Sequence, residues 1–178
     1  MAHETGQKTI RSKTGVRKLH KEFKADRPPV EIVFLLQDLD DPYNVGSMYR
    51  VADSVGAKEL ILTGKTPQSP HPQIHVTSMG HHRRIPSRYF KHHEDAALAI
   101  KAEGYSLVAI EIAEGAVPYN EYEWPDKVCL VLGNEVNGVY GSVMKHRDGA
   151  VIIPMFGKGR SMNVHVSAAI VAFRILVP

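Results

Sequence analysis

The chain has a single cysteine, Cys129, among 178 residues, and it sits inside an apolar run. No intramolecular disulfide can form, which excludes a disulfide-built secreted scaffold and suits a reducing compartment. Long apolar runs are missing too. Stretches such as Val128–Leu132 are far too short to cross a bilayer. The amino-terminal stretch MAHETGQKTIRSKTGVRK lacks the apolar segment of a secretory signal. These absences predict a cytoplasmic protein with no membrane partner. Neither G-x-x-x-x-G-K-[ST] nor G-x-G-x-x-G occurs, which disfavours a nucleoside-triphosphatase loop and a dinucleotide fingerprint. Acidic residues are absent between Glu59 and Glu94, a stretch holding Lys65, Arg83, Arg84, Arg88, Lys91 and six histidines.

What is present fits one globular domain. Hydrophobic residues make up 43% and charged residues 23%, ordinary values for a chain that buries a core. The net charge of +3 hides an asymmetry. Lys8, Arg11, Lys13, Arg17, Lys18, Lys21, Lys24 and Arg27 outnumber Glu4, Glu22 and Asp26 in the first thirty residues. The division that follows is a basic arm over residues 1–29, of a composition that suits disorder and folding on binding, and a domain over residues 30–178. A basic arm on a slightly acidic body points to a polyanionic partner.

Periodicity supplies the fold class. VEIVFLLQDL reads as a buried strand from about Val30 to Leu36, and ELILT, YSLVAIE, VCLVLG and GAVIIPM as further strands. Val45, Met48, Val51, Ala52 and Val55 recur at helical spacing before Gly56. EDAALAIKAEG and NVHVSAAIVAFRIL read as two more helices. Residues 64–86, rich in Pro, His, Gly and Ser, read mainly as loop. Alternating strands and helices predict an α/β domain with a mainly parallel sheet flanked by helices. Ligands of such sheets bind beyond the carboxyl ends of the strands, so the strand exits are the candidate site.

Three exits carry chemistry. At the first, Asn44, Gly46 and Arg50 form N-x-G-x-x-x-R. Asn44 can cap the helix, and Arg50 can pair with Asp53 or Asp38 or face a substrate. At the second, the apolar strand ends in Gly133-Asn134-Glu135. There Glu135 can cap the next helix, or receive a cation or a substrate hydroxyl. At the third, GKGRSMNV places Gly157, Gly159, Ser161 and Asn163 ahead of the last helix. One cap would be enough there, so the second polar residue and the two glycines exceed the needs of a helix entrance.

In order and spacing, N-x-G-x-x-x-R, L-G-N-E-x-x-G and I-P-M-x-G-x-x-x-S-x-N-V resemble the three motifs of the SpoU (TrmH-like) family. That family belongs to the SPOUT superfamily of RNA 2′-O-ribose methyltransferases. The resemblance runs from about Glu31 to Leu176. It implies a deep C-terminal trefoil knot, S-adenosylmethionine as cofactor, a homodimer, and an RNA substrate rather than DNA. The small body, and an arm too short to be a separate folded RNA-binding domain, favour transfer RNA over ribosomal RNA. The resemblance implies catalytic or site-framing roles for Arg50, Asn44, Glu135, Ser161 and Asn163. Cofactor contacts are implied at Leu132, Gly133, Asn134, Glu135, Ile153, Met155, Ser161, Met162 and Asn163. No metal is implied. Lys13, Arg17 and Lys18 of the arm and Arg83, Arg84 and Arg88 of the basic stretch are candidate RNA-backbone contacts. His71 and His75 stand at helical spacing, but Pro70 and Pro72 argue against a helix there and a zinc site is disfavoured. The family's third motif usually ends in serine where this chain has His165, which reads as a buried, hydrogen-bonded histidine.

Overall fold

The computed structural model describes residues 9–10 and 12–177. Lys8 and Arg11 of the basic arm lie outside the described residues. In chain order the elements are α1 (Lys13–Ala25), β1 (Glu31–Gln37), α2 (Pro42–Val55), β2 (Leu60–Thr63) and α3 (Pro72–Ser78). A 3-10 turn (His81–Arg83), β3 (Ser87–Phe90), α4 (His93–Ala102), β4 (Ser106–Ile110) and β5 (Val117–Pro118) follow. The chain ends with β6 (Lys127–Leu132), α5 (Gly141–Met144), β7 (Gly149–Ile152) and α6 (Val164–Leu176).

The seven strands form one sheet in the order β3-β2-β1-β6-β4-β7-β5, and every strand pairing is parallel. The central strands are apolar without alternation because both faces are covered. Along β1, Ile32, Phe34 and Leu36 enter one core, while Val33 and Leu35 enter the other. Along β6, Val128, Leu130 and Leu132 join the first core, and Cys129 and Val131 the second. Burying its surroundings in apolar groups pushes the Cys129 thiol far above its ordinary range, so it is an inert core residue. Met48, Tyr49 and Ala52 of α2 and Ala168, Val171 and Ala172 of α6 cover the first face. Ala96, Ala97 and Ile100 of α4 and Val143 of α5 cover the second.

Residues 64–86 are mainly loop and turn, with α3 and the 3-10 turn set among them, so the expectation that Pro70 and Pro72 preclude a helix there needs correction. Pro72 occupies the start of α3, where a missing N–H costs nothing, and the His71 side chain caps it by accepting from the Gln73 N–H at 3.3 Å. The prolines that argued against a helix therefore mark its beginning. Among the described residues, no group of three or more His, Cys, Asp or Glu side chains could hold a metal. The arm also carries an element. Lys13–Ala25 is helical, capped by Ser12, whose hydroxyl accepts from the Gly15 N–H at 3.0 Å, and it buries no residue. Its end lies beside the amino ends of the strands, where Lys24, Arg27, Glu31, Gly56 and Lys58 line an open cleft.

Candidate active site

The first exit is built on α2. Asp41, not Asn44, caps this helix, its carboxylate accepting from the Tyr43 N–H at 2.9 Å. That leaves Asn44 one turn inside, 8% exposed, and free for a longer reach. Its amide donates to Glu135 Oε1 at 2.7 Å, across 91 residues of chain. Glu135 therefore does not cap a following helix. The first and second motifs meet in a single hydrogen bond at the carboxyl end of the sheet.

Gly46 belongs to the same turn of α2 and serves packing. A Cβ there would overlap Thr77 Oγ1 and crowd the Ile74 carbonyl of α3. Arg50, further along, is exposed. It pairs with neither Asp53 nor Asp38. Asp53 is held by His81 at 2.8 Å and Arg84 at 3.2 Å. Asp38 accepts from the Lys65 N–H at 2.6 Å and faces His93 at 3.4 Å. Burial works against ionising Asp38, but these donors and Tyr140 hold its carboxyl below the usual range. Among the described residues, no carboxylate lies within ion-pair distance of Arg50.

The second exit is a tight loop after β6. Asn134 and Gly138 exchange two backbone hydrogen bonds, at 3.1 and 2.9 Å. This brings the Gly138 backbone so close to Gly133 that a Cβ at Gly133 would overlap it. Asn134, 5% exposed, is fully employed. Its oxygen accepts from the Val136 and Asn137 N–H groups at 2.9 and 3.1 Å. Its amide donates to the Asp38 carbonyl at 2.6 Å and to Asp40 at 3.2 Å. Asp38 has φ of 46°, a left-handed conformation that a non-glycine residue adopts at a cost. Sequence reasoning offered Asp38 only as a partner for Arg50 and missed Asp40. The signal was the run Gln37-Asp38-Leu39-Asp40-Asp41, dense in acid directly after a buried strand.

The third exit is open. Residues 153–162 make no hydrogen bond to other protein groups among the described residues. Ile153 and Met162 are half-buried, Met155 is 40% exposed and Phe156 is 99% exposed. Ser161 is exposed and unbonded, whereas Asn163 caps α6, its side chain accepting from the His165 N–H at 3.4 Å. Nothing lies within 4 Å of a Cβ placed at Gly157. No packing within the chain demands that glycine.

His165 differs from expectation. It is half-buried, but its Nδ1 is enclosed without a hydrogen-bond partner. Burial, and then the charge of Arg50, lower its pKa. The two side chains line one cleft of about 300 Å³ between α2 and α6, together with Ser47, Val51, Ser54, Ala169 and Phe173.

The expected RNA contacts separate. Lys13, Arg17 and Lys18 lie on the outside of α1, and Arg83 is exposed on the 3-10 turn. Arg84 is shared with Asp53. Arg88 is a correction. It bonds Glu59 at 2.8 Å and Glu103 at 2.7 Å, and its charge is consumed within the fold. The acid-free stretch hid this, because both partners stand outside it.

Comparison with known proteins converges on one family. The profile described as the SpoU rRNA Methylase family matches residues 31–173. The chain is 28% identical over 164 residues to a tRNA (guanosine(18)-2′-O)-methyltransferase of Thermus thermophilus, covering 92% of this chain and 84% of that enzyme. It is 30% identical over 145 residues to a 23S rRNA (guanosine(2553)-2′-O)-methyltransferase of Bacillus subtilis, covering 80% of this chain and 57% of that one. Among solved structures, an S-adenosylmethionine-bound rRNA methyltransferase from Sinorhizobium meliloti superposes with a TM-score of 0.77 at 29% identity. That superposition covers 82% of this chain and 55% of the other, so this chain spans little more than half of the latter two proteins. With the family profile spanning β1 to α6 and the three motifs gathered at the strand exits, the chain belongs to the SpoU rRNA Methylase family.

Proposed function

We propose that this chain transfers a methyl group from S-adenosylmethionine to a ribose 2′-hydroxyl of RNA, acting in the cytoplasm as a homodimer. The observation that carries the reading is the 2.7 Å bond from Asn44 to Glu135, which joins two of the three motifs at the mouth of a parallel sheet. The third exit fits the cofactor chemically. Unpaired backbone groups of residues 153–162 and the apolar side chains of Ile153, Met155 and Met162 suit a flat base and a thioether. Leu132 and Gly133 would border the same slot from β6, with Asn134 holding their loop in place and Ser161 and Asn163 at its edge.

S-adenosylmethionine, when bound, supplies a methyl group already made electrophilic by its sulfonium. The protein's task is then to align the ribose oxygen and manage its proton. Arg50 carries a guanidinium that stays charged, so it stabilises negative charge growing on the oxygen and does not act as the base. Glu135 uses Oε1 for Asn44 and keeps Oε2 for a hydroxyl proton, with an RNA phosphate as the competing acceptor.

Transfer RNA is favoured as substrate. The match to the Thermus enzyme covers more residues than 30–178 contain, so it extends into the basic arm. Two further features of the reading have structural support. A C-terminal knot agrees with the path from β7, near one sheet edge, back to α6 on α2 and β6 at the centre. A dimer agrees with α6, whose Val166 and Phe173, continued by Val177 just past the helix end, form an exposed apolar stripe opposite its buried face.

The deciding experiment incubates unmodified total RNA with labelled S-adenosylmethionine and maps the modified nucleotide. A 2′-O-methylribose is expected, and Arg50→Ala should cut turnover by about a hundredfold while cofactor binding persists. Label on a base atom, or unchanged turnover in Arg50→Ala, would refute the assignment.

A further inference from the structure

The cleft between α2 and α6 sets Arg50 beside polar groups that the methyl-transfer reading does not account for. Arg50 contributes a cation, Ser47 and Ser54 contribute hydroxyls, and His165 contributes an imidazole. No acidic side chain lines it. Ser54 already donates its hydroxyl to the Arg50 carbonyl at 2.8 Å, but a guanidinium with no counter-ion among the described residues, beside the Ser47 hydroxyl and the His165 imidazole, suits an electron-rich oxygen. The cleft also adjoins the proposed reaction centre. His165 stands two residues after Asn163, and Arg50 lies on the helix that carries Asn44.

The state of His165 follows from its surroundings. Burial and the Arg50 charge disfavour imidazolium, so the ring is neutral near pH 7. A neutral ring carries one N–H. Nδ1 is enclosed with no partner, and a buried N–H without an acceptor is among the rarest arrangements in folded proteins. An enclosed lone pair is the less costly choice. The hydrogen therefore sits on Nε2, the ring nitrogen that is not enclosed.

We propose that His165, through its Nε2–H, is a substrate-binding donor that works beside Arg50 to hold a phosphodiester oxygen of the RNA next to the target ribose. This rests on the methyl-transfer reading and adds to it a residue that the family's third motif does not supply. Arg50 provides charge, whereas His165 provides direction, because a ring with a single N–H donates along one axis only. The donor adds no second charge, so it tightens the grip on one oxygen without raising general affinity for polyanions.

The test uses side-chain length to separate the two ring nitrogens. The Gln amide places its N–H near the position of Nε2, and the shorter Asn amide places it near Nδ1. Unmodified transfer RNA transcript is the probe, and its dissociation constant is measured for the full chain and for His165→Gln, His165→Asn and His165→Ala. His165→Gln should stay within about threefold of the parent, while His165→Asn and His165→Ala weaken binding roughly tenfold. Cofactor affinity and oligomeric state should not change in any of them. Nitrogen-15 spectra of the histidine-labelled parent chain, without RNA or cofactor, provide a second readout that needs no variant. They should show the Nε2–H tautomer at neutral pH.

A protonated ring, an Nδ1–H tautomer, equal binding by the Gln and Asn variants, or an altered oligomeric state with unchanged RNA affinity would each overturn the proposal. Its failure is distinguishable from failure of the underlying reading. If the parent chain methylates RNA while His165→Ala binds transcript normally, only the role of His165 is lost. If the parent neither binds S-adenosylmethionine nor transfers methyl, the methyltransferase reading itself is lost.

Discussion

Asn44 shows how much one side chain can join. Its amide spans from α2 to the loop after β6 and fixes one oxygen of Glu135. Asn44→Ala removes the donor and leaves a carboxylate to water, so a loss of about 1 kcal/mol in unfolding free energy is expected. Methyl transfer should fall more steeply, by tenfold or more, because Glu135 loses its orientation. Asn44→Asp is the sharper variant. It sets two carboxylates against each other in place of a hydrogen bond, and two such groups cannot both ionise at that distance. Its stability defect should exceed that of the Ala variant at pH 8 and shrink below about pH 5, as one carboxyl gains a proton and donates. Urea unfolding at the two pH values reads this directly, and an Asn44→Asp defect independent of pH would show that the pair does not form.

Among the elements, β3 is tied to its neighbours by charge. Arg88 sits there between Glu59, whose side chain is 11% exposed, and Glu103, at 40%. The Arg88 hydrogen bond, opposed by some burial, holds the Glu103 carboxyl below its ordinary value. A depressed carboxyl stabilises the fold above its unfolded pKa, and that contribution disappears as pH falls through the lowered folded value. Arg88→Met should cost about 2–3 kcal/mol at pH 7, largely by stranding Glu59. It should also flatten the acid limb of the stability curve below about pH 4.5. The salt slope of RNA affinity should not change, since Arg88 has no charge to give a phosphate. A shallower slope in the variant would return Arg88 to the RNA surface.

The same strand marks the limit of legibility at this scale. SRYF gives no alternation that separates it from a loop, and its partners Glu59 and Glu103 are distant in sequence. The central strands were legible because a two-sided core demands uninterrupted apolar residues, and VEIVFLLQDL and VCLVLG comply. α3 was not, because a histidine cap followed by a helix-starting proline looks like loop chemistry. At the site, Asn44, Glu135 and Arg50 stood out by motif. The bond between the first two and the cleft joining Arg50 to His165 depend on packing between distant segments, which no local pattern encodes.

For the whole molecule, the outward stripe of α6 is the feature to perturb. Val166 and Phe173 stand seven residues apart on one helix face, Val177 follows the helix end, and each is more than a third exposed. A helix apolar on both sides is stable when both sides are covered. Val166→Asp, on that stripe but outside the cleft of Arg50 and His165, should give a monomer in light scattering and a drop in methyl transfer, with circular dichroism unchanged. A dimer that persists in this variant would place the interface elsewhere.

The central seam of the sheet also has a consequence for the ribosome. β1 finds one neighbour early, in β2, but its other edge waits for Lys127–Leu132. At ordinary elongation rates of about 5–20 residues per second, several seconds separate the emergence of the two strands. During that interval a strand of continuous Ile, Val, Phe and Leu presents an unpaired edge to everything else being synthesised nearby. A nascent chain arrested before β6 should therefore be a chaperone client, and one arrested past α6 should not.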